Sequence, residues 1–267
     1  IYKFSKLQTY NKRVSFLNKK DFPHIHFYDQ DFVDIYDRTW AWIADCWTNG
    51  GSQTKISKIR FFYYPARKTL NFLEQILSSF FLVYSNRIYP ASNGLDALYT
   101  LQEPDGAIRS AYDIETGAPI FPEDNPLGVT LPLLSWAEFN LYHKTANKKR
   151  VKEIMPILSN YYRWLEANFK MPNGLFSTPL SSTGMINSPR SEARYFIDFN
   201  ATMAMNALYL SALGDILNDK DASFQYKRDY FSIKTRINSK MWNPEDGFYY
   251  DLDENEIQVR TKTLGTY

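Results

Sequence analysis

Two stretches of this chain each hold a pair of long helix-period patterns joined by almost nothing. In the first, Thr130, Leu134, Ala137 and Leu141 recur at spacings of three and four over about 128–145. Val151, Ile154, Leu158, Tyr161 and Leu165 do the same over about 147–169. In the second, Met203, Ala207, Leu210, Gly214 and Leu217 mark a helix over about 199–218, and Tyr226, Tyr230, Ile233, Ile237 and Met241 mark another over about 220–241. Such spacing puts each set on one face of an α-helix, and a connector this short makes the two helices of a pair antiparallel. Longer polar stretches rich in Gly and Pro separate the pairs. There is no βαβ alternation and no repeat of fixed period. Paired helices of this kind build bundles, solenoids or closed toroids, and in a toroid the longer loops gather at one end as a funnel.

The remaining chain reads less regularly. Residues 1–30 read as irregular structure or short strands, with His24 and His26 on one face if extended but no third metal ligand nearby, so no metal is expected. Val33, Tyr36, Trp40, Ile43 and Trp47 predict a helix from Asp31 that Asn49-Gly50-Gly51-Ser52 ends. Leu73, Leu77, Phe80 and Tyr84 predict the buried face of a second, starting near Thr69. A short helix is expected at Leu95–Tyr99, then a turn at Pro104-Asp105-Gly106 and a loop over 113–127. Pro132 suits the first turn of the helix at 128, whereas Pro156 predicts a kink or a later start for the next one. Asn243-Pro244-Glu245-Asp246-Gly247 reads as a turn, with Phe248–Asp251 a short strand.

Composition excludes some classes of function. The 267 residues carry a net charge of +2, and the basic clusters, Lys19-Lys20 and Lys148-Lys149-Arg150, are short; neither suggests nucleic acid as a partner. No apolar run approaches the length of about 20 residues that spans a membrane. Cys46 is the only cysteine, so no internal disulfide forms. That fits a reducing compartment but leaves cytoplasmic and periplasmic or secreted locations both open, because the chain begins at Ile1 and a leader is expected to have been removed. Aromatics make up 17%, including twenty Tyr and six Trp, enough to line a wet cleft as well as a core.

Several short motifs, taken in order, resemble a known family. They are Leu101-Gln102-Glu103-Pro104-Asp105-Gly106-Ala107-Ile108, Asn125-Pro126-Leu127, Trp136-Ala137-Glu138, Tyr161–Glu166 and Pro172-Asn173-Gly174-Leu175-Phe176. Next come Ser181–Arg190, Asp198-Phe199-Asn200-Ala201 and Met241–Asp251. From about Phe80 onward the chain is similar to the (α/α)6 glycoside hydrolases of the trehalase and family 63 group, which includes mannosylglycerate hydrolase-like enzymes. The resemblance implies an all-α fold, an (α/α)6 toroid of which 1–267 forms a single domain lacking its C-terminal helices. It also implies a carbohydrate partner, hydrolysis of an α-linked oligosaccharide with inversion, and no cofactor.

Inversion needs one carboxylic acid to protonate the leaving oxygen and one carboxylate to activate water, about 6.5–9.5 Å apart. In the family the acid is an Asp in a loop of the form G-M/W-D-N-S-P-R. Here that loop is Gly184-Met185-Ile186-Asn187-Ser188-Pro189-Arg190, and Ile186 stands at the acid's place. The family's base is a Glu expected beyond Tyr267. Glu192, Asp105 and Asp113 are therefore the candidate catalytic acids, with Asp198 a further carboxylate expected to cap a helix or to support the site. Glu192 is also expected to pair with Arg190 or Arg194, and Asp105 to bond its own turn. Asn187, Ser188, Arg190, Gln102 and Trp42, which falls off the first helix's buried stripe, are the candidate sugar-binding residues; Trp136 and Trp242 are expected in the core. A rival reading is a catalytically silent carbohydrate-binding or scaffold protein on the same fold, which Ile186 favours, and a third is an unrelated helical-repeat interaction protein. Asp251, Asp253 and Asn255 alternate like the start of a calcium loop, but Glu256 replaces its glycine, so calcium is not expected there.

Overall fold

The computed structural model describes residues 22–85 and 87–266. The expectation for residues 1–21, including Lys19-Lys20, lies outside them. Among the described residues there are seven α-helices: α1 Gln30–Ile43, α2 Phe72–Leu82, α3 Asn93–Thr100, α4 Leu134–Thr145, α5 Lys148–Phe169, α6 Ile197–Leu217 and α7 Lys220–Lys240. The strands are two or three residues long and pair as antiparallel ribbons. β1 Trp47–Asn49 pairs with β2 Arg60–Phe62, and β3 Thr69–Asn71 with β4 Ala111–Asp113. β5 Trp242–Asn243 pairs with β6 Phe248–Tyr249, and β7 Asp251–Leu252 with β8 Gln258–Val259.

The two long hairpins form where the periodicity places them. The Asn147 side chain accepts the Arg150 N–H and the Asp219 side chain accepts the Ala222 N–H, so both second helices start on a capped turn. Ala146 and Asn218 take left-handed backbone at the tight reversals. α2 packs on α4 and α4 on α6, while α5 and α7 pack outside α6. α2, α4 and α6 thus form an inner arc, each followed by an outer helix. Because each inner helix is followed by an antiparallel one, the long connectors 101–133, 170–196 and 241–266 emerge on one end, and the short reversals lie at the other. The connectors touch there: Gly184 lies against Leu131, and Tyr195 bridges to Leu252.

Several expectations needed correction. The first helix stops at Ile43, and Trp47 sits instead in β1, paired with Phe62. α2 begins at Phe72, capped by Asn71, and buries Phe72, Gln75, Ile76, Ser79 and Leu82, while Leu77 and Tyr84 are exposed. It is apolar on more than one side, so periodicity alone does not pick the buried face. The winning side carries small and amide groups: Ser79 Oγ donates to Ile76 O and Gln75 Nε2 donates to Phe62 O, while Gln75 Oε1 is buried without a partner among the described residues. α4 begins at Leu134, which leaves Pro132 before the helix. α5 runs unbroken through Pro156, whose ring faces out into a groove between α5 and α7.

Toward the end with the short reversals, a buried network bolts three helices together. Glu138 on α4, 1% exposed, accepts from the Tyr99 hydroxyl (2.8 Å) and from Arg150 Nε and Nη2 (2.9 and 2.6 Å). Arg150 Nη1 reaches on to Asp96 of α3 at 2.7 Å. Burial works against the Arg150 charge, but Glu138 and Asp96 outweigh it and hold its pKa above the usual value, while burial pushes the Tyr99 hydroxyl well up.

Candidate functional site

The segment after α5 turns at Gly174, where φ is 84°, and makes a single 3-10 turn at Leu180–Ser182 before reaching Gly184. The hydroxyls of Thr183 and Ser188 bond the segment's own backbone, whereas Ser181 Oγ is buried without a partner among the described residues. Thr183 Oγ1 donates to Leu180 O (2.8 Å) and accepts the Met185 N–H (3.2 Å), and Ser188 Oγ donates to Met185 O (2.6 Å). These bonds fold 180–188 into a compact bulge. Ile186 is 63% exposed at its tip, and Asn187 beside it is exposed with no hydrogen bond to its side chain among the described residues.

Arg190 closes the bulge from below. It is 0% exposed. Nε and Nη2 form a fork on Asp251 (2.6 and 2.9 Å), and Nη1 and Nη2 form a second fork on Asp198 (2.9 and 3.0 Å). The Phe196 ring lies 5.1 Å from the guanidinium carbon. Burial opposes the charge, but the bonds to the two carboxylates prevail and raise the Arg190 pKa. Asp251 Oδ1 also accepts the Ile197 N–H at 2.8 Å, the first of α6, and Asp198 Oδ1 accepts the Phe199 N–H at 2.9 Å. The expected pairing of Glu192 with Arg190 or Arg194 is absent among the described contacts: Asp251 and Asp198 hold Arg190, and Glu192 stands exposed in a polar groove of about 580 Å³ with Arg194, Asp253 and Arg260. Asp198 does not cap α6, whose first helical residue is Ile197; it supports Arg190. Asp253 Oδ1 serves its own turn, accepting from the N–H groups of Asn255 and Ile257.

Gln102 and Asp105 lie in a different cluster on the same end. Asp105 accepts the Ala107 N–H (3.0 Å) and the Trp164 Nε1–H (3.1 Å), which occupies both carboxylate oxygens. Gln102 Nε2 donates to Gly106 O (3.0 Å) and Ile157 O (2.9 Å). Beside them Arg109 is held by both oxygens of Glu103 and by Leu127 O (2.8 Å), between the rings of Phe121 and Trp164. Asp113 accepts from the Glu115 N–H, the Thr116 N–H and the Thr116 hydroxyl (3.0, 2.8 and 3.0 Å), and the Thr116 bonds hold its pKa below the usual value. Trp42 is 40% exposed, far from these loops in sequence, and walls an apolar groove with Phe27, Phe32, Phe62 and Phe81. Trp136 packs on Phe80 as expected of a core residue, but Trp242 is 39% exposed, stacked on Tyr249.

The structure therefore gathers Asn187, Ser188 and Arg190 in one bulge, leaves Glu192 just after it, and sets Gln102, Asp105, Asp113 and Trp42 apart. Asp251 was missed as a functional partner because it lies 61 residues from Arg190. An arginine in a loop that folds under cover calls for carboxylates, but nothing local says which.

Residues 90–267 match the model of the mannosylglycerate hydrolase MGH1-like glycoside hydrolase domain. The chain belongs to this glycoside hydrolase family. It is 46% identical over 248 residues to an uncharacterized protein of Borreliella burgdorferi, an overlap of 93% of this chain and 52% of that protein. The chain thus spans about half the length of this relative. Among solved structures it is similar to an uncharacterized conserved protein from Thermus thermophilus, with a TM-score of 0.62 and 16% identity over 74% of this chain and 63% of that one. It is also similar to the GH63 mannosylglycerate hydrolase from the same organism in complex with glucose, with a TM-score of 0.59 and 19% identity over 72% of this chain and 61% of that one. Identities this low speak for the fold alone. The inner and outer helices are those of the all-α toroid of the family, as the sequence motifs implied.

Proposed function

We propose that the protein is a glycoside hydrolase that acts on α-linked oligosaccharides with inversion. The observation that carries this reading is the pinned bulge 184–190, with Asn187, Ser188, Pro189 and Arg190 of the family's loop in place, on the loop end of a chain that belongs to a glycoside hydrolase family. Of the three acids named as candidates, Asp105 and Asp113 have their carboxylates engaged in turns. Glu192 is the one whose carboxylate makes no hydrogen bond or ion pair among the described residues, so the proton donor of this reading is Glu192. Asn187 supplies a free amide for sugar hydroxyls.

A second reading, a silent carbohydrate binder, is favoured by Ile186. An alkyl side chain offers no proton to the leaving oxygen, and general acid catalysis contributes about 10²–10⁴-fold. Turnover of aryl α-glycosides and α-linked disaccharides by the full-length protein decides between the readings, with NMR of the first-formed anomer reporting inversion. The hydrolase reading expects turnover that Glu192→Gln removes. Sugar binding without any turnover establishes the silent binder, and activity gained by Ile186→Asp in that protein supports the assignment of the donor's place.

A further inference from the structure

We propose that Arg190 is a positioning residue: by gripping Asp198 and Asp251 it fixes the place of the bulge that carries Ile186 and Asn187 relative to α6 and β7, without itself touching ligand. The inference rests on the sugar-processing reading above and changes the place given to Arg190 there from ligand contact to scaffold.

Four observations carry it. First, the guanidinium is fully covered, so a sugar hydroxyl has no path to it. The cover is specific: a Cβ on Gly265 would lie 2.4 Å from Nη1 and 3.1 Å from Met185 Cγ, so the segment 264–266 closes over both the clamp and the bulge. Second, the other polar bonds of the bulge are local, joining Thr183 to Leu180, Met185 to Thr183 and Ser188 to Met185. They give the bulge a shape but no address. Arg190 supplies the address, since its partners belong to α6 and β7. Third, both carboxylates are themselves fixed to backbone N–H groups in the first turn of α6, so the chain of bonds runs from bulge to helix without a slack link. Fourth, two forks sharing one guanidinium demand a planar group with several donors, which Lys does not provide. A buried ion triad is seldom the most stable filling for its volume, so stability alone is a poor reason for this one, whereas fixing one arrangement is a good one.

The test uses the full-length protein with a nitroxide on Asn187→Cys. Cys46 stays unlabelled, because it is buried and its thiol pKa is pushed up to about 11 by burial and by Asp45. The clamp is loosened by Arg190→Lys and, more gently, by Asp198→Asn, which preserves shape if the lysine variant fails to fold. The expected result is an immobilised label in the parent and a mobile one in each folded variant, with Asp198→Asn keeping a single cooperative melt well above the assay temperature because Asp251 still pairs with the guanidinium. Kinetics use the unlabelled protein with Asn187 in place: where it turns over sugar, Arg190→Lys and Asp198→Asn lower kcat by about 100-fold, the scale of a misplacement of about 1 Å, with KM changed far less. An immobile label in a folded Asp198→Asn variant overturns the inference, as does a loss of turnover that merely follows the loss of folded protein. If the unlabelled protein neither binds nor hydrolyses any of the α-linked sugars, the sugar-processing reading falls, while the label still decides whether the clamp holds the bulge.

Discussion

Glu138→Ala tests whether the buried network between α3, α4 and α5 holds the inner and outer helices together. The substitution leaves the Nε and Nη2 groups of Arg150 and the hydroxyl of Tyr99 without their acceptor. Breaking a buried ion pair from one side costs about 3–5 kcal/mol, and stranding a buried hydroxyl adds about 1–3 kcal/mol. Arg150 keeps Asp96 at 2.7 Å, on the more exposed side of the network, which offsets part of the loss. The expected net destabilisation is therefore about 4 kcal/mol, a large share of the roughly 5–15 kcal/mol that holds a typical domain. At about 2–4 °C per kcal/mol for a domain approaching this size, the melting temperature falls by about 8–16 °C. Thermal and urea melts read both quantities. Glu138→Leu combined with Arg150→Met removes both charges and is expected to recover most of the loss, because an apolar pair of similar volume needs no acceptor. A loss below about 1 kcal/mol for Glu138→Ala, the value of an exposed pair, refutes the reasoning, as does a double variant no better than the single one.

Two further substitutions probe other parts of the frame. Burial, and then the neighbouring Glu166 charge, raise the Asp229 pKa on α7. A carboxyl whose folded pKa lies above its unfolded one contributes stability at low pH that is lost as pH rises through the folded value. Asp229→Asn is thus expected to raise the melting temperature at pH 7, with the gain vanishing below about pH 3.9, where the carboxyl is protonated in both states; melts across pH 3–8 check the sign. Gly106 has φ of +99°, and a Cβ there would lie 2.6 Å from Asn160 O. Gly106→Ala is expected to lose about 1–3 kcal/mol, read by urea melts.

What was legible in the sequence was what local physics decides. α5, α6 and α7 each bury a stripe at helical spacing, and the Asn147 and Asp219 caps stand immediately before α5 and α7. The order of the family motifs carried the arrangement of those helices into a toroid. Where a distant partner decides, the sequence was silent. Trp47 continued the stripe of α1 in register, but its place is set by Phe62, fifteen residues on, across a strand pair. α2 offered two apolar faces; on the buried one Gly94 lets α3 approach so closely that a Cβ there would sit 2.1 Å from Gln75 Oε1, a contact no local pattern announces. Among the candidate site residues, Asp105 behaved as its place before a glycine suggested, bonding its own turn, and its second bond to Trp164 depends on a helix almost sixty residues away. The exposed, unbonded Glu192 and the covered, doubly forked Arg190 are two residues apart in sequence. Composition and spacing treat them as an ion pair; the fold gives the arginine to Asp198 and Asp251.

That separation bears on the residue at position 186. The bulge takes its shape from Thr183 and Ser188 and its place from Arg190. None of these bonds uses the side chain of Ile186, which projects into solvent. An exposed alkyl group adds little to folding, because most of its apolar area stays in water. Folding therefore neither requires Ile186 nor opposes a carboxylate in its place, and Ile186→Asp is expected to shift stability by no more than about 0.5 kcal/mol, the range of surface changes away from special features. A change that is close to free for the fold leaves the ligand as the party to which position 186 matters. If Ile186→Asp melts with the parent and yet alters sugar binding or turnover, the bulge is a ligand-facing element; if it alters neither, the bulge serves the packing of the loop end, and Glu192 is left to carry the case for catalysis.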